Sequence, residues 1–391
     1  MNITIAIDSL KGSLSSLEAG HAIEEGIRRV YKDAAVNVRP LADGGEGTVE
    51  ALACGMGGTL ETVTVTGPMG RPVDCQYGIL PESGTAIIEM SGAAGITLVP
   101  DAEKDPMKAT TFGVGQVIRS AIQKGCRRFI VGIGGSATND GGTGMLQALG
   151  YGILDRDGNQ IPPGAQGLAQ IASISSEHVL PELSECTFRI ACDVNNPLCG
   201  PRGASAVYGP QKGADEAMVQ VMDRGLAHFA EIAGKWNPKA DPEFPGTGAA
   251  GGLGFAFLTF TSAVLESGIQ IVLEETRLRE YVKDADLVIT GEGRLDRLSW
   301  ERPLWEWPGS PKNSISRSLP FPAASPGKRQ PATMPGSTPF SRFSAPSSPW
   351  RRPWIQKTPE KIWPTQPSRY SVWSRRCGPG RLSKTVFSCF F

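Results

Sequence analysis

Most of the side chains that could handle a phosphate or a divalent cation stand in five short runs rich in Gly and acids. They are DSLKGS at 8–13, DGGEG at 43–47, GGSATNDGG at 134–142, CDVNNPL at 192–198 and TGEGRLD at 290–296. Hard oxygen donors suit Mg²⁺, and Asp43, Glu46, Asp140, Asp193, Glu292 and Asp296 supply them. Gly-rich turns can cradle phosphate with backbone N–H groups. GGSATNDGG and GAAGGLG at 248–254 have that composition, though the second could equally pack backbone against backbone. Lys11, Lys212 and Arg294 could contact a phosphate or a carboxylate, Arg through a bidentate fork. The other reading of Lys11 is a solvated loop charge. Glu292 could bind Mg²⁺ or hold Arg294 in place. Ser9, Ser136, Thr138 and Asn139 could complete hydroxyl recognition, but Ser and Asn are also ordinary turn residues.

The elements that must hold these runs follow an α/β pattern. ITIAI at 3–7 reads as a buried strand, residues 16–30 as a helix and VNVRPL as a second strand ending at ADGGEG. Thr48 to Cys54 reads as a helix. LETVTVTGP and VDCQYGIL alternate around GPMGRP, which favours a partly antiparallel sheet. FIVGIGG, FRIACDV and ADLVITGEG are apolar strands that run into the polar loops, with helices predicted over 108–124, 142–149 and 214–233. Open α/β sheets build their sites at the carboxyl ends of strands, so five such loops in one chain are a strong signal.

Six cysteines fall in residues 1–297 at irregular spacings with no CxxC pair, and there are only three histidines, His21, His178 and His228. Neither a zinc site nor a disulfide framework is supported, and no histidine falls in a Gly-rich run. The N-terminus MNITIAIDSLKG has no leader pattern, and no apolar run is long enough to span a membrane, so a cytoplasmic protein is expected. Residues 1–297 carry a formal charge of −12, which gives no reason to expect nucleic acid as a partner. No feature sets an oligomeric state.

At these loops the sequence resembles the type 1 glycerate kinase family. The resemblance runs in order through Asp8–Gly12, Ala42–Gly47, Gly134–Gly142, Cys192–Leu198, Gly209–Ala214, Gly248–Gly254 and Thr290–Asp296, and covers essentially all of residues 1–296. It implies ATP-dependent phosphorylation of glycerate to a phosphoglycerate, with the 2-phosphate favoured, and ATP and Mg²⁺ as cofactors. It also implies two α/β domains. A Rossmann- or flavodoxin-like domain would comprise about 1–75 and 285–297, and a second mixed α/β domain 76–284.

Such a kinase must neutralise triphosphate, hold Mg²⁺ and orient the acceptor hydroxyl in line. The chain has neither G-x-x-x-x-G-K-[ST] nor the protein-kinase signatures. Asp193 and Asp296, with Lys11, are the catalytic candidates, one of the two carboxylates accepting the hydroxyl proton. Asp193, Glu292 and Asp296 are the candidates for Mg²⁺. Gly134, Gly135, Ser136, Thr138, Asn139, Lys212, Gly251 and Gly252 are the candidates for ATP, and Ser9, Asp43 and Arg294 for glycerate. A nucleotide-dependent oxidoreductase is the rival enzyme, weakened because DSLKGS replaces G-x-G-x-x-G after the first strand. A ligand-binding remnant without catalysis is the other alternative.

The sequence changes character near residue 297. Residues 298–391 hold seven of the eight Trp and 16 of the 31 Pro, with no Asp, and carry +12. Family members resemble one another past the final Asp through a Gly-Lys-x-Pro segment, where this chain reads RLSWERPLWEWPG. Codons can be chosen for Ser299 to Trp307 that, read two bases later and on into Pro308, give Met-Gly-Lys-Ala-Pro-Leu-Gly-Val-Ala. The tail is therefore read as out of frame and disordered, with poor folding and little kinase activity as the consequence. The rival is a genuine basic, Pro-rich interaction tail. Pro interrupts each candidate helix there, and ordering its backbone would cost roughly 100 kcal/mol or more.

Overall fold

The computed structural model describes residues 1–10, 13–42, 47–292, 369–374 and 385–390, with Glu292 and the last two stretches as backbone only. Strand β1 (Asn2–Ile7) is buried from Ile3 to Ile7. It pairs in parallel with β2 (Ala35–Val38) and, from the far end of the chain, with Leu287–Glu292. A strand with a parallel neighbour on each side and covered faces reads as an unbroken apolar run, as ITIAI does. Helix α1 (Ser16–Val30) connects β1 to β2 and begins with a capping box: Ser15 Oγ accepts from Glu18 N, and Glu18 Oε2 accepts from Ser15 N. Its Ile23 and Ile27 pack on the β1 core. Gly20 lets the helix close on β2, since a Cβ there would stand 2.5 Å from Val38 Cγ1.

Helix α2 (Thr48–Gly55) follows Gly47, whose φ of 91° suits glycine. The chain then builds a second sheet from the hairpin β3 (Thr59–Thr66) and β4 (Pro72–Leu80), followed by β5 (Thr85–Glu89). Helices α3 (Ser91–Ala94) and α4 (Phe112–Gln123) lead to β6 (Arg128–Gly132) and α5 (Thr143–Ala148). A small ribbon of β7 (Gly152–Leu154) and β8 (Ser173–Ser175) precedes β9 (Thr187–Ala191). Next come α6 (Ala204–Tyr208), α7 (Glu216–Trp236), α8 (Ala249–Phe260) and β10 (Ala263–Glu266). Helices α9 (Gly268–Glu275) and α10 (Leu278–Lys283) return the chain to β11 (Leu287–Glu292) in the first sheet.

The second sheet has the order β10-β9-β6-β5-β4-β3. It is antiparallel from β3 to β5 and parallel from β5 to β10, the mixture the alternating segments suggested. Its core includes Phe129 of β6 stacked on Phe188 of β9 at 4.7 Å, with Phe257 of α8 beyond. The boundary expected near residue 75 falls inside β4. Both β3 and β4 pair into the second sheet, because hairpin strands share one ladder, so the change of sheet comes between β2 and β3.

Within the tail, β12 (Arg369–Ser374) and β13 (Thr385–Phe390) are strands of the first sheet, in the order β12-β13-β11-β1-β2. The expectation of a wholly disordered tail is therefore corrected for these two stretches. The physical reason is that β11 offers an open row of backbone donors and acceptors beside β1. TVFSCF, β-branched and aromatic, lies parallel to it from Thr385↔Leu287 to Phe390↔Glu292.

Candidate active site

The parallel strands bring their carboxyl ends into one row. Glu89 of β5 is in register with Gly132 of β6, and Gly132 with Ala191 of β9, which pairs with Glu266 of β10. The loops after these strands are thus neighbours in space, although 89 and 191 are far apart in sequence. In the first sheet, Asp8 N donates to Gly291 O at 3.0 Å, so the carboxyl ends of β1 and β11 lie side by side. Glu89 also holds α2: its Oε1 accepts a 2.8 Å bond from Val49 N in the first turn of that helix, just past the DGGEG run in sequence.

The loop after β6 is built inside out relative to expectation. Gly134 and Gly135 are exposed, whereas Ser136, Thr138, Asn139 and Asp140 are buried. Asp140 accepts from Thr111 N and Oγ1, both at 2.8 Å, and from Gly142 N and Gly144 N. Burial still pushes its carboxyl above the ordinary range, against those bonds. Asn139 Nδ2 donates to Ser205 Oγ of α6. Gly134 and Gly135 are thus the exposed positions of this loop, while Ser136, Thr138 and Asn139, expected to contact ATP, are buried, Ser136 bonded to Lys212 and Asn139 to Ser205.

Lys212 is placed in the same way. It is 2 % exposed, and its Nζ donates to Ser136 Oγ and Thr138 O, each at 2.7 Å. Burial pulls its pKa down to about 7, with the nearby Asp140 charge working in the opposite direction. Gly251 and Gly252 adopt left-handed φ of 68° and 96°, and a Cβ on Gly251 would stand 2.1 Å from Thr138 O. Gly251 O accepts from Gly141 N. Of the two readings of GAAGGLG, close backbone packing is the one these contacts display.

Asp193 lies just past β9, half-buried, and its Oδ1 accepts from Ser267 Oγ at 2.9 Å. Ser9, also half-buried, donates its amide to Asp8 Oδ1. Lys11, Asp43, Arg294 and Asp296, and the Glu292 side chain, lie outside the described residues. Among the described residues no three His, Cys, Asp or Glu cluster as metal ligands. This donor set fits Mg²⁺ that arrives on triphosphate, which needs only one or two carboxylates besides phosphate oxygens and water. It does not fit a resident zinc site. Glu89, Ser267 and Ser205 were missed in the sequence. An acid closing the apolar strand TAIIE was a usable signal for Glu89; Ser267 and Ser205 had none. Among the described residues no helix is long and apolar enough to cross a membrane.

Comparison with known proteins agrees with this architecture. The family model described as the glycerate kinase family matches residues 3–301. The chain is 49% identical over 296 residues to a glycerate kinase of Bacillus subtilis, covering 76% of this chain and 78% of that one. It is 47% identical over 299 residues to the glycerate 2-kinase of Escherichia coli, with the same coverage. A solved Salmonella typhimurium LT2 chain described as a glycerate kinase 2 aligns with a TM-score of 0.74 at 47% identity, covering 76% of this chain and 80% of that one.

Proposed function

The chain belongs to the glycerate kinase family, and from that premise we propose that it makes the 2-phosphate. Its activity is the ATP-dependent phosphorylation of D-glycerate to a phosphoglycerate. The observation that carries the choice of hydroxyl is the 47% identity to a relative described as a glycerate 2-kinase. In the reaction the acceptor oxygen forms a bond to the γ-phosphorus, the bond to the ADP oxygen breaks, and the hydroxyl proton passes to a carboxylate.

In this reading Asp193, fixed by Ser267, and Asp296 flank the reacting hydroxyl, and one of them takes the proton. Asp193, Glu292 and Asp296 would hold Mg²⁺, which when bound neutralises phosphate charge. The exposed Gly134–Gly135 backbone contacts phosphate, and Ser136, Thr138, Asn139, Gly251 and Gly252 shape that loop. Lys11 is assigned to phosphate or the glycerate carboxylate, and Ser9, Asp43 and Arg294 to glycerate. Two domains are proposed, one about the first sheet and one about the second, with the chain passing between them between β2 and β3 and again between β10 and β11. Incubation with Mg-ATP and D-glycerate, then enolase alone, tests the position. Formation of phosphoenolpyruvate supports the 2-phosphate, whereas a product that needs a mutase first refutes it.

A second reading is a remnant that binds ligand without turnover. It is favoured by one observation: family similarity stops at residue 301, where composition and charge change, while about a fifth of each relative remains unmatched. We propose that residues from about 297 are read out of frame. Independent sequencing of codons 290–310 tests this, and an uninterrupted frame with no family continuation in another frame refutes it. A melting shift with Mg-ATP but no product would favour the remnant.

A further inference from the structure

We propose that Lys212 is a positioning residue that sets the shape of the Gly134–Asp140 loop from the domain interior, and through it the affinity of the Gly134–Gly135 backbone for Mg-ATP. The identity of the ligand rests on the kinase reading above; the hold on the loop rests on geometry alone. Lys212 stands on a tight turn, with its amide donating to Gly209 O at 2.9 Å and Gly213 N donating to Pro210 O at 3.1 Å. Gly213 has a φ of 99°, and a Cβ there would lie 2.7 Å from Lys104 O, so the turn is wedged in place. From this fixed base the side chain directs two of its three possible donors to one loop, at Ser136 Oγ and Thr138 O.

The loop depends on those bonds. On its outer side Ile96 N donates to Gly135 O and Ala137 N to Ala94 O. Asp140 anchors the far end through Thr111. Between these points the loop is held by Lys212 at Ser136 and Thr138 and by the bond of Asn139 Nδ2 to Ser205 Oγ. Thr138 Oγ1 and Asn139 Oδ1 are already buried with no partner among the described residues. Removing the ammonium would deprive Ser136 Oγ and Thr138 O of a bond on the same short segment, and buried polar groups left unpaired are costly. The loop would relax, and its exposed glycines would leave the geometry that phosphate requires. Lys212 itself is too buried to touch a ligand, so it acts through the loop and is not a catalytic residue.

The test compares the full chain with Lys212→Met, Ser136→Ala and the double variant. Hydrogen exchange of the 133–140 peptide reports the hold, and calorimetric titration with Mg-ATP reports its consequence. K212M should speed exchange at 135–138 and weaken Mg-ATP by about tenfold, as loss of loop placement alone can do. S136A should weaken it about threefold, and the double variant should match K212M because the two side chains act as one unit. K212M should also melt several degrees below the parent, because Ser136 Oγ and Thr138 O stay buried without their donor, and S136A, which removes one acceptor, should melt closer to it. Unchanged exchange in K212M, or additive losses of affinity, would overturn the proposal. If K212M does not fold, S136A decides by the same exchange readout. If neither the parent nor a chain with its reading frame restored binds Mg-ATP, the kinase reading is defeated, while the exchange comparison still judges the Lys212 hold.

Discussion

Glu89 at the carboxyl end of β5 accepts a 2.8 Å hydrogen bond from the amide of Val49 in the first turn of α2, forty residues earlier in the chain. The bond supplies α2 with the cap its own N-cap residue, Gly47, cannot provide, since Gly47 has no side chain. Glu89→Ala should cost about 1–2 kcal/mol in urea unfolding, the usual loss for an N-cap. Glu89→Gln, which keeps an acceptor, should cost under about 1 kcal/mol. Equal losses for the two would show that the acceptor does not matter.

Gly251 carries both a left-handed φ of 68° and a blocked Cβ position 2.1 Å from Thr138 O. Gly251→Ala should destabilise the fold by more than about 2 kcal/mol, combining backbone strain with displacement of the loop after β6. Gly158 has a φ of 82° with nothing within 4 Å, so Gly158→Ala should cost only about 1 kcal/mol. Chemical denaturation of both variants separates strain from collision, and equal costs would remove the case for close packing at Gly251.

Lys212 links stability to pH. Its folded pKa is lowered to about 7 from 10.5, so between those values the unfolded chain binds more protons than the folded one. Stability from this group therefore rises with pH across that window, and its full burial penalty applies below pH 7. The urea midpoint of the parent, relative to Lys212→Met, should climb between pH 7 and 10. A flat difference would mean that the ammonium titrates at its ordinary value.

Asp193→Asn should lower kcat by about 10²–10⁴-fold, the range for losing a positioned proton acceptor, with little change in melting temperature. Asn keeps an oxygen for the Ser267 hydroxyl, so the local fold should survive. The measurement belongs on a chain with its reading frame restored. A loss below threefold would shift the proton to Asp296.

The 391-residue chain should give little product from Mg-ATP and D-glycerate, whereas the frame-restored chain should turn over. Similarity that ends at residue 301 motivates this comparison. Equal rates in a coupled ADP assay would show that the tail from 298 onward is compatible with catalysis.

The order of strands and helices was legible from local pattern. ITIAI, FIVGIGG and FRIACDV are apolar runs ending in polar loops, and both periodicity and turn chemistry are properties of neighbouring residues. Family membership, the loop set and the break near 297 were likewise written in the sequence. The tertiary structure alone decided which way the loop side chains point. Ser136 turns inward because Lys212, 76 residues away, waits there, and Gly251 meets Thr138 because α8 packs its entry turn on that loop. It also set the change of sheet between β2 and β3 and joined Glu89 to Val49. A sequence states which groups are available. Burial and long-range hydrogen bonding choose which of them face a ligand, because those energies depend on neighbours that only folding brings together.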